Sequence, residues 1–206
     1  AFGFVPGEPV KNSAEKPLLT VSLHRLAQLS EELIVLSPAR VYLPVELLPQ
    51  LDLAPYRGRT EFFALLPRIY RTQDEPILRA LLEDGIKRGV TGVSIANLGH
   101  LSLVRGLDIT LHGDWALNVY NSAALDFWKE QGLDSACVSF ELRDAQLRDL
   151  QKSLPCEAVV YGRLPLMITE NCLNANESGC RYFKERPVSV PADGACASAP
   201  ELTDRR

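Results

Sequence analysis

The feature that most constrains this chain is a rhythm. From Leu18 onward, short apolar runs rich in β-branched residues alternate with helix-like stretches, and each pair takes about 20–30 residues. The runs are Leu18–Leu23, Arg40–Val45, Phe62–Pro67, Gly92–Ala96, Asp108–His112, Ala136–Phe140 and Glu157–Tyr161. They lack a clear period of two, as expected of strands covered on both faces. Strands alternating with helices predict parallel pairing through right-handed crossovers. The expected class is therefore α/β, and both an open doubly wound sheet and a (β/α) barrel satisfy it. No Gly-x-Gly-x-x-Gly follows any run, which weighs against a dinucleotide-binding domain. Seven units in succession favour a TIM-like (β/α) barrel, incomplete here, with its last part beyond Arg206 or around Val188–Val190.

The stretches between the runs carry helix signals. Asp74–Arg88 opens with Asp74-Glu75-Pro76, acidic residues and an early proline, as at a helix N-terminus. Leu78, Leu81, Leu82 and Ile86 then share one face, and Lys87-Arg88-Gly89 suits a C-terminal dipole closed by a left-handed cap. Ser122–Gln131 is expected to start on a serine cap and stop at Gly132, and Arg143–Ser153 to stop before Pro155.

Residues 1–17, with Pro6, Gly7, Pro9 and Pro17, read as a linker; 18–170 read as the barrel-like domain; 171–206 read as a cysteine-containing tail. The final Leu202-Thr203-Asp204-Arg205-Arg206 does not look like a natural stop, so the chain is expected to be a truncated piece whose first partner is the rest of its parent protein. Hydrophobic residues at 46% and charged residues at 23% fit a globular domain and exclude a disordered one. No apolar run approaches the ~20 residues that span a bilayer, so no membrane partner is expected. No signal peptide is visible, and the expected location is the cytoplasm. The net charge of −4 and pI near 5.5 give no strong nucleic-acid footprint. An RNA partner would need a local patch, for which Arg143, Arg148, Lys152, Arg163 and Arg181 are available.

In either architecture ligands bind where the strands end. Those positions hold His24, Glu46, Arg68, Asn97, His112, Glu141, Tyr161 and Arg163. Glu141 can act as a base, hold a cation or pair with Arg163, and His112 is a candidate acid–base group. These three are the catalytic candidates. Asn118 and Asn121, just ahead of a helix, can orient a ligand or merely close a turn and cap the helix. With Tyr161 they are the substrate-binding candidates. Gly-x-Ser-x-Gly and His-Glu-x-x-His are both absent, so neither a serine hydrolase elbow nor a zincin helix is supported.

Five cysteines at uneven spacing make a poor disulfide framework. Cys137 and Cys156 fall in or beside strand-like runs and read as buried thiols. Cys172, Cys180 and Cys196 follow the last clear run as C-x7-C-x15-C, in a polar tail with proline and glycine. Three thiolates there would favour iron–sulfur or, less well, zinc over hard cations, while unliganded or disulfide-bonded cysteines remain open alternatives.

The stretches Leu117-Asn118-Val119-Tyr120-Asn121-Ser122, Ser139-Phe140-Glu141-Leu142 and Tyr161-Gly162-Arg163-Leu164-Pro165-Leu166-Met167, followed by Thr169-Glu170-Asn171-Cys172, resemble the collagenase-like proteins grouped as family 32 of the peptidases of unknown catalytic type. The upstream Asn97-Leu98-Gly99-His100-Leu101 also fits, and the match looks closest to the C-terminal half of long members. The resemblance implies a (β/α) barrel within a larger chain. It also implies a divided function. The family takes its name from collagen degradation, which would make the partner denatured collagen or a peptide. Other members hydroxylate a pyrimidine of ribosomal or transfer RNA, and relatives carry a four-iron four-sulfur cluster on four cysteines. Cys172, Cys180 and Cys196 would then be three ligands, with the fourth outside this chain. A non-catalytic scaffold half is the remaining alternative.

Overall fold

A computed structural model describes residues 16–56 and 58–165. They belong to two compact units, Ala1–Val159 and Val160–Arg206. The expected linker lies almost wholly outside the described residues, as do Cys172, Cys180, Cys196 and the segment around 188–190.

All seven expected strands form in the first unit: β1 (Thr20–Ser22), β2 (Arg40–Pro44), β3 (Glu61–Leu65), β4 (Gly92–Ile95), β5 (Thr110–Gly113), β6 (Ser135–Cys137) and β7 (Cys156–Glu157). They make one sheet, in sequence order, and every neighbouring pair is parallel. Between them run α1 (Glu31–Leu36), α2 (Glu75–Arg88), α3 (His100–Val104), α4 (Ser122–Glu130) and α5 (Asp144–Asp149). Short 3-10 turns, among them Val45–Gln50 and Trp115–Leu117, fill other crossovers.

The sheet curls. Strands lie about 4.8 Å apart, so a flat sheet would hold β2 and β7, five steps apart, on the order of 24 Å from each other. Instead the Tyr42 hydroxyl reaches the Glu157 carboxylate at 2.6 Å, and Thr20 of β1 reaches it at 3.2 Å. Glu157 stands far along its own strand register, whereas Thr20 and Arg40 open theirs, so the strands are tilted as in a barrel. Among the described residues no backbone pairing joins β1 to β7. The result is an open, barrel-like α/β fold.

Alternation along the strands separates two layers. Val41, Leu43, Phe62, Ala64, Val93, Ile95, Ala136 and Val138 belong to the main apolar core, which also takes in Leu78 and Leu82 of α2, Leu103 of α3 and Leu125 and Trp128 of α4. The other face carries Arg40, Tyr42, Phe63, Gly92, His112, Ser135, Cys137 and Glu157, and lines the barrel. Gly92 is required there. A Cβ on it would fall 2.1 Å from the Phe63 ring, which is paired opposite it and fully buried. The Arg40 guanidinium lies 4.6 Å from the centre of that ring.

The helices follow their local signals with two corrections. α2 ends on Gly89 at φ 115°, whose N–H donates to the Gly85 and Ile86 carbonyls. α4 is capped by Asn121 instead of Ser122: the Asn121 side chain accepts from the Ala124 N–H at 2.9 Å, while the Ser122 hydroxyl accepts from the Gln151 N–H. α5 is shorter than the expected Arg143–Ser153. Its end is fixed by the Lys152 ammonium, which donates to the carbonyls of Leu147 and Leu150. No helix among the described residues is long and apolar enough to cross a membrane.

Candidate functional site: the mouth and the interior of the barrel

Loops that follow β3, β5 and β6 meet at the carboxyl end of the sheet. Arg68, three residues past β3, lays its guanidinium 4.5 Å from the centre of the Trp115 ring, two residues past β5. Phe140, three residues past β6, meets Trp115 edge-on at 5.6 Å and is 41% exposed. The loop bearing Arg68 is tied down from the next unit. The Asn97 amide donates to the Arg68 carbonyl at 3.1 Å, and His100, completely buried, accepts the Ala96 N–H on Nδ1. Burial lowers the His100 pKa to about 4, so it stays neutral and fit to accept. The Asn97–Leu101 segment is thus a bracket under Arg68.

Asp114 joins this group. Its backbone N–H donates to the Ile95 carbonyl, and its carboxylate accepts from the Ala116 N–H. Burial raises its pKa, opposed by hydrogen bonds from the Ala116 and Trp115 backbone and by the positive charge of Arg68. Glu46, at the start of the turn after β2, is also raised by burial, and its carboxylate has no side-chain partner among the described residues. Cation, indole, phenyl ring and shifted carboxylate therefore share one end of the sheet.

Deeper in the barrel lies a second group. Glu157 accepts from Tyr42 at 2.6 Å and from Thr20 at 3.2 Å, with Arg40 at 3.5 Å and His112 Nε2 at 3.6 Å. His112 Nδ1 meets the Ser135 hydroxyl at 2.9 Å, and Arg40 donates to the same oxygen at 3.1 Å. Arg40 also pairs with Glu61 at 3.0 Å. Burial lowers the His112 pKa to about 4, helped by Arg40 and resisted by Glu157. A neutral ring with its proton on Nε2 satisfies both neighbours, accepting from Ser135 and donating toward Glu157. The order Ser135–His112–Glu157 is that of a hydrolase relay. Ser135 and His112 are each only 2% exposed, however, so no polypeptide reaches the hydroxyl in this conformation.

The structure distributes the sequence-derived candidates unevenly. His112 is inside the barrel within β5. Glu141 is exposed, just past β6, in a turn whose Glu141 N–H donates to the Ser139 hydroxyl. Asn118 closes the Trp115–Leu117 turn in the left-handed region at φ 49°, and Asn121 caps α4. Both asparagines thus have local structural work. Tyr161 and Arg163 belong to the second unit. Cys137 and Cys156 are free thiols, pushed up by burial to about 12 and about 11, so both stay protonated and are poor metal ligands. The described residues hold no group of three metal-binding side chains, and Cys172, Cys180 and Cys196 lie outside them.

Sequence reasoning overlooked Trp115, Phe140, Asp114, Arg40, Tyr42 and Thr20, and it took Glu157 only as the start of a strand. Trp115, two residues past its strand, was findable by the same rule that marked Arg68. The Glu157 group was not, because its members meet only once the sheet curls.

Fold and site define an open α/β barrel with one polar group where its strands end and a second in its interior. The sequence profile described as Peptidase family U32 matches residues 48–198, and the chain belongs to that family. The solved structure of the U32 peptidase Mk0906 is similar to it with a TM-score of 0.53 and 15% identity, over 76% of this chain and 73% of that one. At that identity the likeness concerns fold alone. No curated protein matches the chain.

Proposed function

We propose that this U32-family chain is the base-gripping barrel of an RNA-modifying protein that hydroxylates a pyrimidine of ribosomal or transfer RNA. The observation that carries the proposal is the stack of Arg68 on Trp115 with Phe140 beside it, at the ligand-binding end of the barrel. Unstacked bases are held by aromatic rings and guanidinium planes, and Arg adds attraction for the backbone phosphate. Asp114, with Arg68 near it, offers a hydrogen-bonding group for a base edge. In this proposal Cys172, Cys180 and Cys196, which lie outside the described residues, would hold a four-iron four-sulfur cluster together with a fourth ligand from outside the chain, and the cluster would supply the redox chemistry. The part described here supplies the grip.

Binding of single-stranded pyrimidine-rich RNA, followed by fluorescence anisotropy, tests the grip. Base–aromatic stacking is worth ~1–3 kcal/mol, so Trp115→Ala is expected to weaken binding by roughly 5–150-fold. Equal binding by wild type, Trp115→Ala and Arg68→Ala overturns the proposal. Iron and sulfide analysis of the anaerobic parent protein tests the cluster separately.

The Ser135–His112–Glu157 order favours a second reading, a collagenase-type peptidase, provided the barrel opens enough to expose Ser135. A fluorophosphonate probe that labels wild type but not Ser135→Ala, together with peptide release from denatured collagen, would support it. If RNA binding, cluster and labelling are all absent, the chain is a scaffold half of its parent.

A further inference from the structure

We propose that Glu157 is a clasp across the open side of the barrel, holding β1 to β7, between which no backbone ladder runs among the described residues. β1 has three residues and pairs only with β2 among the described residues. β7 has two residues and pairs only with β6. A free strand edge is ordinarily held by another strand or covered. Here side chains replace the ladder. Thr20 comes from β1, Arg40 and Tyr42 from β2, and His112 from β5, and all four converge on one carboxylate of β7. These contacts span 137, 117 and 115 residues of sequence for Thr20, Arg40 and Tyr42. They also join two parts of the chain that the family match separates: β1 and β2 precede residue 48, and β7 lies inside the matched region.

The placement gives the clasp a conformational role. β1 ends at Ser22, and just past it the Leu23 N–H donates to the Tyr42 carbonyl of β2. β1 is lightly held on its outer side. It is short, Leu18 ahead of it is 77% exposed, and the crossover helix α1 ends on Val35 and Leu36, 82% and 66% exposed. Releasing Glu157 frees β1 to leave the seam, which uncovers Tyr42, His112 and Ser135. The clasp is thus a gate on the interior polar group, worked by the carboxylate that, among the described residues, touches both sides.

Hydrogen exchange in the full chain tests it. The Leu23 N–H donates to the Tyr42 carbonyl and reports on β1, while the Leu66 N–H donates to the Ser94 carbonyl and reports on the middle of the sheet. Glu157→Gln keeps the shape of the side chain and removes its charge. It is expected to speed exchange at Leu23 by on the order of tenfold while Leu66 changes less than threefold. Thr20→Val removes the β1 contact alone and should speed Leu23 in the same sense, and Thr20→Ser, which restores the hydroxyl, should return it to the wild-type rate. Equal acceleration at both amides would mean that Glu157 only stabilises the whole domain, and would overturn the clasp. Unchanged exchange at Leu23 in Thr20→Val would overturn it even if Glu157→Gln failed to fold. Neither result bears on RNA binding, so the clasp stands or falls independently of the proposed function.

Discussion

Gly92 is the residue with least freedom. The inward face of β4 has no room for a methyl group beside Phe63, and the Phe63 ring is held from its other side by Arg40 and Tyr42. Gly92→Ala must displace that ring, and overpacking of this kind costs about 1–3 kcal/mol. A urea titration should show the loss, and Gly92→Ala with Phe63→Leu should recover part of it. His112 and His100 set a pH dependence. Each has a pKa lowered in the folded chain to about 4, against 6.5 for an unhindered histidine, so the unfolded chain binds more protons between those values. Their contribution to stability is complete above about pH 6.5 and is lost as pH falls toward 4. The urea midpoint of wild type should therefore drop more steeply across that window than that of His112→Asn, with the carboxylates common to both. None of this was legible in the sequence at residue scale. His112 was visible as a histidine near a strand end, but its burial depends on Ser135, Arg40 and Glu157, which local patterns cannot bring together.

Elements were far more legible. α2 was readable from end to end because its signals are local: Pro76 in the first turn, leucines on one face, and Gly89 after Lys87 and Arg88. The strands were readable as runs, yet not by face. Apolar helices cover one side and Phe63, Tyr42 and Cys137 occupy the other, so the period of two that marks inside from outside is blurred. At α4 the sequence offered two adjacent capping residues and only geometry chose Asn121. That choice gives a prediction. Asn121→Ala should cost ~1 kcal/mol of stability, the usual loss of an N-cap, and leave RNA affinity unchanged. Asn121→Ser should restore most of the stability. A selective loss of affinity with full stability would instead give Asn121 a ligand. The Asn97–His100 bracket acts through the element it ties: if the proposed RNA grip holds, Asn97→Ala should weaken it less than Arg68→Ala does, because the guanidinium survives while its loop loosens. Anisotropy titrations of the two variants compare them directly.

At the scale of the whole molecule, the order of strands in space repeats their order in the sequence. Each new unit docks on the one made before it, up to the last described strand. Only then do the distant partners meet. This has a consequence for a chain leaving the ribosome from its amino end. Thr20, Arg40 and Tyr42 are synthesised long before Glu157, and through that interval their polar groups have no carboxylate of β7 to meet. A nascent barrel with β1 to β6 assembled therefore still lacks Glu157, and the arrival of β7 is the moment at which Thr20, Arg40 and Tyr42 gain their shared carboxylate. A chain stalled on the ribosome with β6 emerged and β7 still inside the exit tunnel should present that stage to a protease, with the β1 edge cut first.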